Sequence, residues 1–184
     1  MIDEAHRQLA IDAYQAYESG NSDLGIQSFR LSQLGEKSTL KVLHQPHMVY
    51  VLRLNPERTV DPTVLAIPNK HDARQVLYIG GHTSKKSERF NKLINACRSV
   101  QRFYSEHGYA NNDKKGGHGH TVAGCLTTSL LRTGFSIADC IMDVFSGAPQ
   151  YDELEFIIGY EEKFHQLPPW NSIRRGASLF PESA

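Results

Sequence analysis

The chain has 184 residues, 40% of them hydrophobic and 22% charged, which suits one soluble globular domain, with or without an appendage, and is long enough to bury a real core. Its 20 basic and 20 acidic side chains balance, so any cations that serve a nucleic acid must be gathered on one face. Three widely spaced cysteines, Cys97, Cys125 and Cys140, argue against a disulfide framework or a zinc site, and an acidic N-terminus with no long apolar run argues against a leader or a membrane span. A cytoplasmic protein is expected.

Apolar residues recurring every three or four positions predict a helix over 3–19, stopped by Gly20-Asn21-Ser22-Asp23. Residues 24–45 read less clearly, as a short helix and a strand. MVYVLRL at 48–54 is rich in β-formers and predicts a strand. Three prolines over 55–74 mark a long connection with a short strand at Val64–Ile67. Val76–Ile79 is the next strand, ended by Gly80-Gly81, and a helix opens near Ser87. Residues 108–120 predict a loop, Thr121–Arg132 a helix, 135–145 a helix or a strand, and 152–166 a last helix closed by Leu167-Pro168-Pro169. No internal repeat is visible. Helix, strands and then helices predict an α+β fold.

Several chemistry-bearing residues follow in order. Met48-Val49-Tyr50 precedes Tyr78-Ile79-Gly80, Arg89 comes eleven positions after Tyr78, a glutamate stands in the last helix, and Pro168-Pro169-Trp170-Asn171 closes the series. Taken singly, the tyrosines read as core or sheet residues and the arginine as a solvated helix residue. Taken together over 48–173 they resemble the GIY-YIG nuclease family, with Tyr-Ile-Gly complete and only the tyrosine of Gly-Ile-Tyr retained.

The resemblance implies a mainly antiparallel three-stranded sheet flanked by helices over 46–184, with 1–45 as an N-terminal helical extension. It implies a DNA endonuclease dependent on Mg2+ (or Mn2+), of the restriction or antiphage-defence kind. Tyr50 and Tyr78 would lie on one sheet face beside the scissile phosphate. A phenol ionises near about 10, so a tyrosine acting as a base needs positive charge or a metal close by. Arg89 would supply charge and grip phosphate oxygens bidentately, and Gly80 would let the backbone come close to DNA. His82, Lys85 and Lys86 are further candidates after the strand, because Leu93 stands where many members carry a histidine or tyrosine.

The metal ligand is less regular. The family's usual spacing before Asn171 falls on Gly159, which has no side chain to offer, whereas Glu155 fits the family's Leu-Glu frame. Glu162 is the alternative and Glu161 a third candidate; positions 155, 159 and 162 share one helix face. Around the cleft, Lys114, Lys115, His118 and His120 of KKGGHGH read as a plain loop, a DNA-contacting loop or a zinc site, and Asn171, Arg174 and Arg175 as DNA contacts. A double-strand cutter with one site per chain would favour a homodimer. Two other classes stay open: an inactive DNA-binding module, suggested by Gly159, and a protein-interaction domain on the same fold.

Overall fold

Asp3 starts the first helix by accepting the His6 N–H at 2.8 Å, satisfying one of the amides a helix leaves unpaired at its start. Helix α1 then runs Glu4–Ser19 and ends on Gly20, whose left-handed φ of 69° lets its N–H turn back to the helix carbonyls. The computed structural model describes residues 3–33, 47–57, 71–82, 88–107, 137–146 and 152–171. Within them lie strands β1 (Ile26–Arg30), β2 (Met48–Leu54), β3 (Val76–His82) and β4 (Cys140–Ser146), and helices α2 (Glu88–His107) and α3 (Glu153–Phe164). The expected elements at Val64–Ile67, 108–120 and Thr121–Arg132 lie outside the described residues.

The fold is α+β, as expected, but the sheet formed by the described residues has four strands in the order β1-β4-β2-β3, with every neighbouring pair antiparallel. The additional strand is β1, which pairs Ile26 with Phe145 and Arg30 with Ile141. Residues 3–33 are therefore not an extension set apart from the rest. They supply an edge of the sheet, and through α1 they cover one of its faces. The stretch expected as helix or strand is a 3-10 turn, Ile137–Asp139, leading into β4.

Alternation along the strands makes two cores. On the first face, Tyr50, Leu52, Tyr78, Met142 and Val144 pack with Leu93, Ile94 and Cys97 of α2 and with Trp170. On the second face, Val49, Val51, Ile79 and Phe145 pack with Tyr14 and Tyr17 of α1 and with Phe156 and Tyr160 of α3. The thiols of Cys97 and Cys140 are buried in the first core as the sequence suggested, and burial pushes the Cys97 thiol up to about 12.

One charge sits inside the second face. Asp143 is 1% exposed and accepts from Arg53 Nε at 2.6 Å, Ser28 Oγ at 2.6 Å and Tyr17 Oη at 2.9 Å. The cluster ties β1, β2, β4 and α1 together. A buried carboxylate with this many donors has its desolvation offset by geometry. Among the described residues no helix is long and apolar enough to cross a membrane.

Candidate active site

Antiparallel pairing sets Tyr50 opposite Gly80 and Leu52 opposite Tyr78. Tyr50 and Tyr78 are therefore diagonal neighbours on one face, close enough for their rings to meet. Their centroids are 6.2 Å apart and the planes are inclined at 35°. The strand does not stop at the double glycine. β3 continues through Gly80 and Gly81 to His82, which pairs with Met48.

Each glycine answers to a different neighbour. A Cβ on Gly80 would stand 2.6 Å from Cε2 and Cζ of Tyr50 and 2.7 Å from its hydroxyl. The space over Gly80 thus holds the Tyr50 phenol, and the glycine seats that ring. A Cβ on Gly81 points to the other face, where it would meet Met48 O at 3.0 Å and Glu153 Cβ at 3.1 Å. The second glycine makes room for the first turn of α3.

Among the described residues β3 is an edge strand, with outward-facing amides and carbonyls that need partners. The Pro-Pro-Trp-Asn segment supplies them. Trp170 donates its N–H to Leu77 O at 2.8 Å. Asn171 accepts the Ile79 N–H on Oδ1 at 2.9 Å and donates Nδ2 to Ile79 O at 2.8 Å. Its side chain acts as one residue of a missing strand. Both ends of its amide are committed to β3. Trp170 is 2% exposed and joins the core that holds both tyrosines, which are themselves buried.

Arg89 lies in the first turn of α2, the helix that packs on the tyrosine face. The side chains of Arg89 and His82 lie outside the described residues, as do Lys85, Lys86, Lys114, Lys115, His118, His120, Arg174 and Arg175. Leu93 is fully buried in the first core, so that position is occupied by packing.

The glutamates expected to hold metal are not brought to the tyrosines. Asp152 caps α3 by accepting the Leu154 N–H at 2.7 Å, and Glu155 reaches back to accept the Asp152 N–H on Oε2 at 2.8 Å, completing a reciprocal capping box. Its other oxygen is 3.3 Å from His6 Nε2 of α1. Burial pushes the Glu155 carboxyl up, while the hydrogen bonding it shares with Glu155 holds Asp152 down. Glu162 pairs with Arg7 Nε at 2.7 Å. At Gly159 a Cβ would lie 2.2 Å from Ala10 O, so α1 and α3 touch through backbone there. The shared face of 155, 159 and 162 is thus the face that meets α1, on the side of the sheet away from Tyr50 and Tyr78. Glu161 is buried, 4% exposed.

Two features were missed in the sequence. Glu153, in the first turn of α3, stands against Gly81 immediately after Tyr-Ile-Gly. The capping signature Asp152-x-x-Glu155 was the available signal: it assigns Glu155 to the helix end and sets the first turn of α3, with Glu153, beside β3. The second is the solvent side of α2, where Lys92, Arg98 and Arg102 are exposed together. Among the described residues no group of three or more His, Cys, Asp or Glu is placed to hold a metal ion. No family profile, curated protein or solved structure matches the chain.

Proposed function

We propose that the chain is a Mg2+-dependent DNA endonuclease of the GIY-YIG kind, in which Tyr50 and Tyr78 face the scissile phosphate and Arg89 neutralises charge in the transition state. The observation that carries this reading is the tyrosine pair: two phenols from adjacent strands, 6.2 Å apart, one seated over the glycine of Tyr-Ile-Gly. Asn171, by pinning Ile79, holds the strand that bears Tyr78 in register. Mg2+ keeps several of its waters and binds through one or two carboxylates plus substrate oxygens, so a single glutamate suffices. Among the described residues the glutamates of α3 stand across the sheet from the phenols, and none of them is assigned as that ligand. A restriction or defence role and a homodimer fit a chain that cuts both strands with one site per copy.

The test is incubation of the full chain with supercoiled plasmid, with and without Mg2+. Wild type should nick in Mg2+ and stop in chelator. Arg89→Ala should lose roughly 10³–10⁵ in rate, the range for an arginine that acts on transition-state charge. Glu155→Gln should retain cleavage, because glutamine still serves in a capping box. Loss of cleavage in Glu155→Gln, with the fold intact, would return the metal to Glu155.

A second reading has its own observation. The helix face at the family's glutamate spacing, which falls on Gly159, is sealed against α1. A module that binds DNA without cutting it accounts for that directly, and would show Mg2+-independent affinity and intact plasmid.

A further inference from the structure

The far end of the β2–β3 pair carries a cavity of about 350 Å3, lined by Arg53, Leu54, Pro56, Ala73, Arg74 and Gln75. Among these described lining residues two are cationic and none is a carboxylate. Register places it away from the tyrosines, since Leu54 and Gln75 close one end of the pair while Tyr50 and Gly80 lie toward the other.

Both guanidiniums are fixed before any ligand arrives. Arg53 is clamped by Asp143 through Nε at 2.6 Å and Nη2 at 3.3 Å. Arg74 donates Nε and Nη2 to Glu18 O at 3.2 and 2.7 Å, and its guanidinium lies 5.5 Å from the centre of the Tyr17 ring. The described hydrogen bonds use the same two nitrogens of each arginine and leave Nη1 of each unused. A planar fork held in this way is suited to phosphoryl oxygens. Gln75 adds a local outlier. Its φ is 54°, a left-handed conformation that is costly for a residue with a side chain and that tends to persist at ligand sites. Leu54 and Pro56 give the cavity an apolar wall beside the cations, the mixture found in small-molecule pockets.

We propose that this cavity binds a phosphate ester, with the phosphoryl group between Arg53 and Arg74 and the organic part against Leu54 and Pro56. Such a group could belong to a free nucleotide-sized ester or to the phosphorylated end of a nucleic acid strand. The site stands on residues the nuclease reading does not use, and it is read without any cleavage assay.

The experiment follows the backbone amides of the full chain during titration with inorganic phosphate, against chloride at matched ionic strength. Saturable shifts at Ala73, Arg74 and Gln75 are expected with phosphate alone. Ala73→Asp, an exposed turn position next to the guanidiniums, should weaken binding about tenfold by setting a carboxylate in the wall, with the remaining sheet amides unmoved as the control for folding. A 5′-phosphorylated oligonucleotide that competes where its unphosphorylated twin does not would assign the site to strand ends; no competition by either would assign it to free esters. Equal shifts with chloride, or an Ala73→Asp chain that binds phosphate as tightly as wild type, would overturn the proposal.

Discussion

A missing methyl group at residue 80 fixes where Tyr50 goes. Gly80→Ala would drive a Cβ to 2.6 Å from a ring that is fully buried and has little room to retreat. Overpacking of this kind costs roughly 1–3 kcal/mol. Urea unfolding should therefore show Gly80→Ala well below wild type, and the same variant should displace the Tyr50 ring that the proposed chemistry needs. Asp143 sets a second expectation at this scale. Removing it leaves the half-buried Arg53 without its counter-charge, together with the Tyr17 and Ser28 hydroxyls that now donate to it. Asp143→Ala should cost roughly 3–5 kcal/mol. Asp143→Asn, which keeps the shape but loses the charge, should unfold at an intermediate denaturant concentration; equality with wild type would mean the ion pair contributes nothing.

Between elements, the decisive contact is the crossing of α1 and α3 at Gly159. The clash foreseen for a side chain there is with backbone, Ala10 O at 2.2 Å, so the helices must part rather than a rotamer turn. Gly159→Ala should destabilise more than Gly80→Ala, and it should also loosen the pairs Arg7–Glu162 and Lys163–Glu18 that flank the crossing. The readout is faster amide exchange along α1; protection equal to wild type would show that the helices are not held by this contact. The same crossing explains what was and was not legible in the sequence. The period of α1 and the β-formers of β2 are local, and both elements stand where periodicity put them. The strand Ile26–Arg30 is short, with half-buried residues only at Ile26 and Phe29, so it lacks the alternation that would separate it from the unclear stretch around it. The functions of Gly80, Gly159 and Asn171 depend on partners tens of residues away, which no local pattern records. Glu155 was legible in a different sense: its capping box is a local signal, and it competed with the family frame for the same residue.

Over the whole molecule the formal charge is zero, so attraction to a polyanion has to come from where the charges lie. The solvent side of α2 is the described surface best suited to it. Among the described side chains of the helix Lys92, Arg98 and Arg102 are exposed there with the polar Asn95, and an exposed acid, Glu106, stands at the C-terminal end. The helix carries Arg89 at its start and packs on the face that holds Tyr50 and Tyr78, so a backbone following this stripe would lead toward the proposed site. Each phosphate contact contributes a slope of about 0.9 in log affinity against log salt on duplex DNA. Lys92→Ala with Arg102→Ala should accordingly lower that slope by about two and weaken binding at every sequence alike. Neither residue lies in a core, so the unfolding midpoint should stay close to wild type. A double variant with unchanged slope would move the DNA track off α2. One that binds as wild type yet no longer cuts would place these cations in the chemistry instead of in the approach to it.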